Sequence, residues 1–177
     1  MKSPPAVVVM GVSGSGKTTV GRELARALDV AFIDADDLHP QSNRDKMAGG
    51  RPLTDEDRGP WLRAVGHTIG VHLAGGRGVV VACSALRRLY RDAITEEAGA
   101  LVLFAHLAGQ RELIRERMDD RADHFMPPDL LDSQLETLEP LGSDENGSAF
   151  SVDVHPADVA ARIRDWATVD HGKEAAA

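Results

Sequence analysis

The chain carries one cysteine in 177 residues, Cys83, so no disulfide can close within it. That scarcity suits a reducing compartment. Long hydrophobic runs are also missing. The opening MKSPPAVVVMGV has only a short apolar stretch before its glycines, too short to span a bilayer and without a signal-peptide cleavage pattern. A cytoplasmic location with no membrane partner is expected. Positive charge is in deficit: 20 Lys and Arg against 28 Asp and Glu leave a formal net charge of −8. General nucleic-acid binding needs a basic footprint, so no nucleic-acid partner is expected. The seven histidines show no compact zinc-ligand spacing, and His67 and His72 fall on different helix faces. No zinc site is expected. Repeats and low-complexity tracts are absent.

What is present reads as a globular chain: 42% hydrophobic and 27% charged residues. One domain over residues 1–177 is the simplest organisation. Ala6–Met10 (AVVVM) is a short β-branched run, the pattern of a strand buried on both faces. Val30–Ile33, Gly78–Cys83, Ala100–Leu107 and Ala149–Val154 read as further strands. Helical patterns cover Lys17–Leu28, Asp55–Leu73, Leu86–Glu97, Gln110–Met118, Pro128–Leu138 and Pro156–Ala167. Thr54 is the expected N-cap of the long helix, and its first-turn acids suit the helix dipole. Gly142–Ser148 is a loop, and residues 168–177 are expected to fray. Strands alternating with helices predict an α/β sandwich built on a parallel sheet.

Gly11–Thr18 (GVSGSGKT) fits G-x-x-x-x-G-K-[ST] between a predicted strand and a predicted helix. Glycines let the backbone wrap phosphate oxygens with inward N–H groups, and the helix N-terminus adds favourable partial charge. Gly11, Ser13, Gly14, Ser15, Gly16, Lys17, Thr18 and Thr19 are therefore the candidate nucleotide residues. Lys17 is placed to reach the β/γ phosphates and Thr18 to offer its hydroxyl to Mg²⁺. ATP or GTP with Mg²⁺ is the expected ligand. The motif leaves open whether the γ-phosphate is hydrolysed to drive a switch or moved to an acceptor.

FIDADDLHP (Phe32–Pro40) sets three carboxylates at the end of the second strand. Ligands of open α/β sheets bind at the carboxyl ends of strands, so these acids fall near the γ-phosphate. The third strand ends in Cys83-Ser84, without the acid a Walker-B strand would carry there. Asp34 is then the candidate metal-side carboxylate, and Asp36 the base for a hydroxyl acceptor. The two share a side if the chain stays extended between them; Asp37 then points away. His39 adjoins the cluster as a candidate substrate contact. Local cations (Arg44, Lys46, Arg51, Arg58 and the RRLYR run at Arg87–Arg91) suit an anionic substrate. Arg115–Pro128 is polar and proline-ended, the pattern of a mobile lid. Arg117 and Arg121, four apart, then share a helical face from which to neutralise a transferring phosphoryl group.

These pieces resemble the P-loop gluconokinase family, relatives of shikimate and nucleoside-monophosphate kinases. The resemblance runs from about Val7 to Leu141 and rests on MGVSGSGKTTVG, AFIDADDLHPQSNRDKMAGGRPLTDEDRGPWL, VVACSALRRLYRD and HFMPPDLLDSQLETLEP. It fades after Leu141. It implies a three-layer P-loop kinase sandwich with a mainly parallel five-stranded sheet and a mobile lid at about residues 115–130. It implies ATP-dependent phosphorylation of D-gluconate at its 6-hydroxyl, with Mg²⁺, by a homodimer. It implies catalytic roles for Lys17, Asp36 and Arg121, and a place for Arg117 at the nucleotide. Asp36, His39, Lys46, Arg58, Arg91, His124 and Gln134 are implied near the sugar acid, Thr18 and Asp34 at the metal, and Ser84 facing the nucleotide. The adenine is expected near His155-Pro156. Another small-molecule kinase and a nucleotide-driven switch are the rival readings.

Overall fold

The computed structural model describes residues 4–120 and 128–169. Five strands form one sheet: β1 (Ala6–Met10), β2 (Ala31–Asp34), β3 (Val79–Ala82), β4 (Leu103–Ala108) and β5 (Gly147–Ser151). Their order is β2-β3-β1-β4-β5, and every neighbouring pair is parallel. Parallel neighbours need crossover connections, and helices supply them: α1 (Lys17–Leu28), α2 (Gln41–Ala48), α3 (Asp55–Ala74), α4 (Arg88–Ala98), α5 (Arg111–Asp119), α6 (Pro128–Thr137) and α7 (Pro156–Ala167).

β1 is the central strand, and all five of its residues are buried. Successive side chains point to opposite faces. Ala6, Val8 and Met10 pack with Trp61, Leu62, Val65 and Ile69 of α3 and with Tyr90 and Ile94 of α4. Val7 and Val9 pack with Val20 and Leu24 of α1 and with Val159 and Ile163 of α7. This gives the expected three layers, with helices on both faces. α3 and α4 approach closely because Gly66 has no side chain: a Cβ there would sit 2.6 Å from the Ile94 carbonyl oxygen. A third, smaller cluster of Val12, Leu86, Ile114 and Leu131 lies under α5 and α6.

The long helix begins as its sequence implies. Thr54 accepts from the Asp57 N–H while the Asp57 carboxylate accepts from the Thr54 N–H, a complete capping box. Several features differ from expectation. First, the chain does not stay extended after Asp34; Ala35–Leu38 turns into a short 3-10 helix, with Asp34 Oδ1 accepting from the Asp36 N–H. Second, Gln41–Ala48 is helical although nothing in its pattern marks an apolar stripe. The fourth helix starts at Arg88 rather than Leu86, because Ser84–Arg87 forms an irregular turn with Ala85 at φ 43. α5 runs to Asp119, so part of the expected lid is ordinary helix. Arg121 and His124 lie outside the described residues. No helix among the described residues is long and apolar enough to cross a membrane.

Candidate active site

The loop between β1 and α1 curls over the carboxyl end of the sheet. Gly16 caps α1 from the left-handed region, at φ 95, where a side chain would strain the backbone. Gly14 sits at φ 82, and a Cβ there would meet Met118 Cγ at 2.5 Å, so α5 lies directly on the loop. The Ser13 N–H donates to Gln134 Oε1 at 2.6 Å, which ties α6 to the same loop. Lys17 Nζ donates to the Val12 carbonyl at 3.0 Å. The Gly11 N–H donates to the Ser84 carbonyl, joining the loop to the end of β3.

A cavity of about 500 Å³ opens between these parts. Lys17, Thr18, Asp34, Asp36, Ser84 and Gln134 supply its polar lining, with Met47 and Met118 as apolar wall. Ser13, Gly14 and Gly16 also line it. Gly11 and Ser15 are buried behind the loop, and Thr19 is exposed outside it. The Thr18 hydroxyl lies 3.4 Å from Asp34 Oδ2. That pairs two hard oxygen donors beside the phosphate loop, a donor set suited to Mg²⁺. Asp36 is pushed up from the usual carboxylate range, first by burial and then by the neighbouring Asp34 charge; Lys17 works against both. A raised pKa makes a carboxylate a better proton acceptor. Burial pushes the Cys83 thiol up to about 12, so it stays a protonated, inert wall residue.

Beyond the cavity, α2 and α3 carry a polar cluster. His39 stacks on Trp61 with ring centroids 4.1 Å apart. Lys46 Nζ donates to Asp57 Oδ2 at 2.6 Å. Arg58 donates to the Tyr90 hydroxyl at 3.3 Å, and Tyr90 donates to Asp55 at 2.6 Å. Trp61 Nε1–H donates to the Ala35 carbonyl at 2.7 Å, which fixes the 3-10 helix bearing Asp36. No sequence pattern announced that bond or the Gln134 bridge. Arg117 on α5 donates to the Val152 carbonyl, toward the loop that leads to His155-Pro156.

Arg91, expected near the sugar acid, does not line the cavity. Its side chain is 1% exposed and is committed elsewhere. It donates to both carboxylate oxygens of Glu145, at 2.6 and 3.0 Å, and to the Ala85 carbonyl at 2.9 Å. It pins the turn after β3 from behind instead of facing the cavity. Its partner lies 54 residues away in a loop without sequence pattern, so the pairing was not readable from the chain.

A phosphate loop at the end of a parallel β1, beside carboxylates at the end of β2, defines a P-loop kinase. Comparison with known proteins agrees. The AAA domain family profile matches residues 7–141. The gluconokinase of Gluconobacter oxydans (strain 621H) is 43% identical, over 86% of this chain and 85% of its own length. A crystal structure of a gluconokinase from Sinorhizobium meliloti 1021 is 42% identical, with a TM-score of 0.79 over 93% of this chain and 96% of that one. That of a sugar kinase from Janibacter sp. HTCC2649 is 44% identical, with a TM-score of 0.84 over 92% of this chain and 93% of that one. The chain belongs to the gluconokinase family of P-loop kinases.

Proposed function

We propose that the protein transfers the γ-phosphoryl group of ATP to the 6-hydroxyl of D-gluconate, giving 6-phospho-D-gluconate and ADP. The observation that carries this reading is one cavity lined by both the phosphate loop and Asp36. The N–H groups of the loop and Lys17 hold the β and γ phosphates in line with the acceptor. As the acceptor oxygen bonds to phosphorus and the bond to the ADP oxygen breaks, Asp36 takes the hydroxyl proton. Thr18 and Asp34 are the residues that would hold Mg²⁺, which supplies neutralisation of phosphate charge when bound. His39, Lys46, Arg58, Gln134 and, outside the described residues, His124 hold the sugar acid. Arg117 lies at the nucleotide, and Arg121 approaches the transferring group as a lid closes. The active species is a homodimer in the cytoplasm. Arg91 has no part in substrate contact.

The test is ADP formation from Mg·ATP by the pure protein with D-gluconate, shikimate, AMP or no acceptor. A large rise with gluconate alone, yielding 6-phosphogluconate, is expected. No rise with gluconate would overturn the assigned acceptor. Size-exclusion with light scattering checks the dimer, and chelation followed by Mg²⁺ addition checks the metal.

A further inference from the structure

His39 caps the 3-10 helix that carries the proposed base, its N–H donating to the Asp36 carbonyl at 3.4 Å, and is the other candidate acceptor of the substrate proton. Its surroundings decide the matter. Asn43, one helical turn further on, is 3% exposed although polar. Its side-chain nitrogen lies 2.9 Å from the Asp57 backbone carbonyl oxygen. A carbonyl oxygen only accepts, so the group facing it must be the amide NH₂; the flipped amide would set oxygen against oxygen. The same nitrogen lies 3.3 Å from His39 Nδ1. An amide NH₂ only donates, so Nδ1 must present its lone pair. In a neutral imidazole the proton then sits on Nε2.

The ring is held as well as polarised. It lies nearly parallel to Trp61, at 14°, and Trp61 is anchored to the Ala35 carbonyl. None of the described residues bonds Nε2. Burial first, then the charges of Arg44 from α2 and Arg58 from α3, disfavour a cationic imidazole. Asp36 and Asp37 of the preceding 3-10 helix are the acids nearest in sequence, and the Asp57 carboxylate is held by Lys46. Protonation at Nδ1 would also set N–H against N–H₂ of Asn43.

We propose that Asn43 is a positioning residue that locks His39 as the neutral Nε2–H tautomer, so that His39 recognises an acceptor oxygen of the sugar acid as a hydrogen-bond donor and abstracts no proton. This rests on the reading that a sugar acid occupies the cleft beside Asp36. It makes His39 a specificity residue for a hydroxyl or carboxylate oxygen and leaves the base role to Asp36.

The ring nitrogens of the full-length protein, labelled with ¹⁵N-histidine, test it directly. His39 is assigned by its loss in His39→Gln. At pH 7.5 a bare Nδ1 and a protonated Nε2 are expected. An Nδ1–H tautomer or an imidazolium in the wild type overturns the proposal, whatever the variants do. Asn43→Asp presents carboxylate oxygens to Nδ1 and is expected to draw the proton there. It then raises KM for gluconate by about tenfold, the scale of one lost hydrogen bond, with KM for ATP little changed. A folded Asn43→Asp protein that keeps the wild-type spectrum and KM overturns it. His39→Gln carries an amide donor close to the Nε2 position, so its KM for gluconate should stay about fivefold or more below that of His39→Ala. Equal KM values, or a loss confined to kcat in both variants, would also overturn it. If the wild type phosphorylates no gluconate, the proposed function falls, while the ring-nitrogen spectrum still decides the tautomer.

Discussion

Two charged regions flank the end of β3, and they are built in opposite ways. On the Glu145 side, Arg91 is closed off from solvent and its guanidinium is matched by carboxylate and carbonyl oxygens. On the β2 side, Asp34 and Asp36 crowd one another beside a cavity, and Asp36 is held above the normal carboxylate range. The first arrangement satisfies charge and fixes a turn. The second leaves charge available to a ligand. Both use polar residues at strand ends, so residue type alone does not separate structural from chemical roles; the completeness of the partner set does.

The sharpest way to test that contrast is to remove one charge from each side. Asp36→Asn should cut kcat for gluconate phosphorylation by about 10²–10⁴, the usual worth of a positioned base, and leave the urea midpoint near that of the wild type. Steady-state kinetics beside urea unfolding would check both halves. Arg91→Ala should do the reverse. It strands the Glu145 carboxylate, whose side chain is only 7% exposed, and should cost about 3–5 kcal/mol of folding stability. Loss of activity there should follow loss of folded protein. If Arg91→Ala instead folded normally and lost only gluconate affinity, the structural assignment of Arg91 would be wrong.

Acid should expose the same pair. The Arg91 hydrogen bonds hold the Glu145 carboxyl below its usual range. A carboxylate depressed in the folded state stabilises fully above its unfolded pKa, about 4.3, and loses that contribution as pH falls through the folded value. The difference in melting temperature between wild type and Glu145→Gln should therefore be widest at neutral pH and shrink below about pH 4. A gap unchanged down to pH 3 would contradict the pairing. The smallest effect concerns the capping box of α3. Thr54→Ala should cost about 1 kcal/mol, measured by urea unfolding, because one N-terminal donor loses its acceptor.

Much of the fold was legible because local rules and the global pattern agree. Ala6–Met10 is apolar at every position and became the central strand. Thr54 followed by acids marked the start of α3, and Pro156 that of α7; the structure adds His155 as its cap, Nδ1 accepting from the Ala157 N–H. α2 escaped notice for a physical reason. Gln41–Ala48 buries only Asn43, so it has no apolar stripe to reveal a period. Its polar contacts hold it instead: Asn43 to the Asp57 carbonyl and Lys46 to the Asp57 carboxylate. The phosphate loop was legible because its motif sits between a strand and a helix, and the position of Asp34 and Asp36 because they come at the end of the second strand. That Asp34 and Asp36 share a side was expected of an extended chain; instead the 3-10 turn at Ala35–Leu38 brings both to one cavity. The placement of Arg91 was not legible, because a basic run gives charge without direction and its Glu145 partner is distant in sequence.

The most direct measurement is single-turnover phosphorylation of D-gluconate by wild type and Asp36→Asn at matched ATP saturation, followed by ³¹P NMR. The account predicts rapid appearance of 6-phosphogluconate with the wild type, and slow appearance with Asp36→Asn although ATP still binds. Equal rates in the two proteins would contradict Asp36 as the base, and hydrolysis to inorganic phosphate without any sugar phosphate would contradict the kinase reading itself.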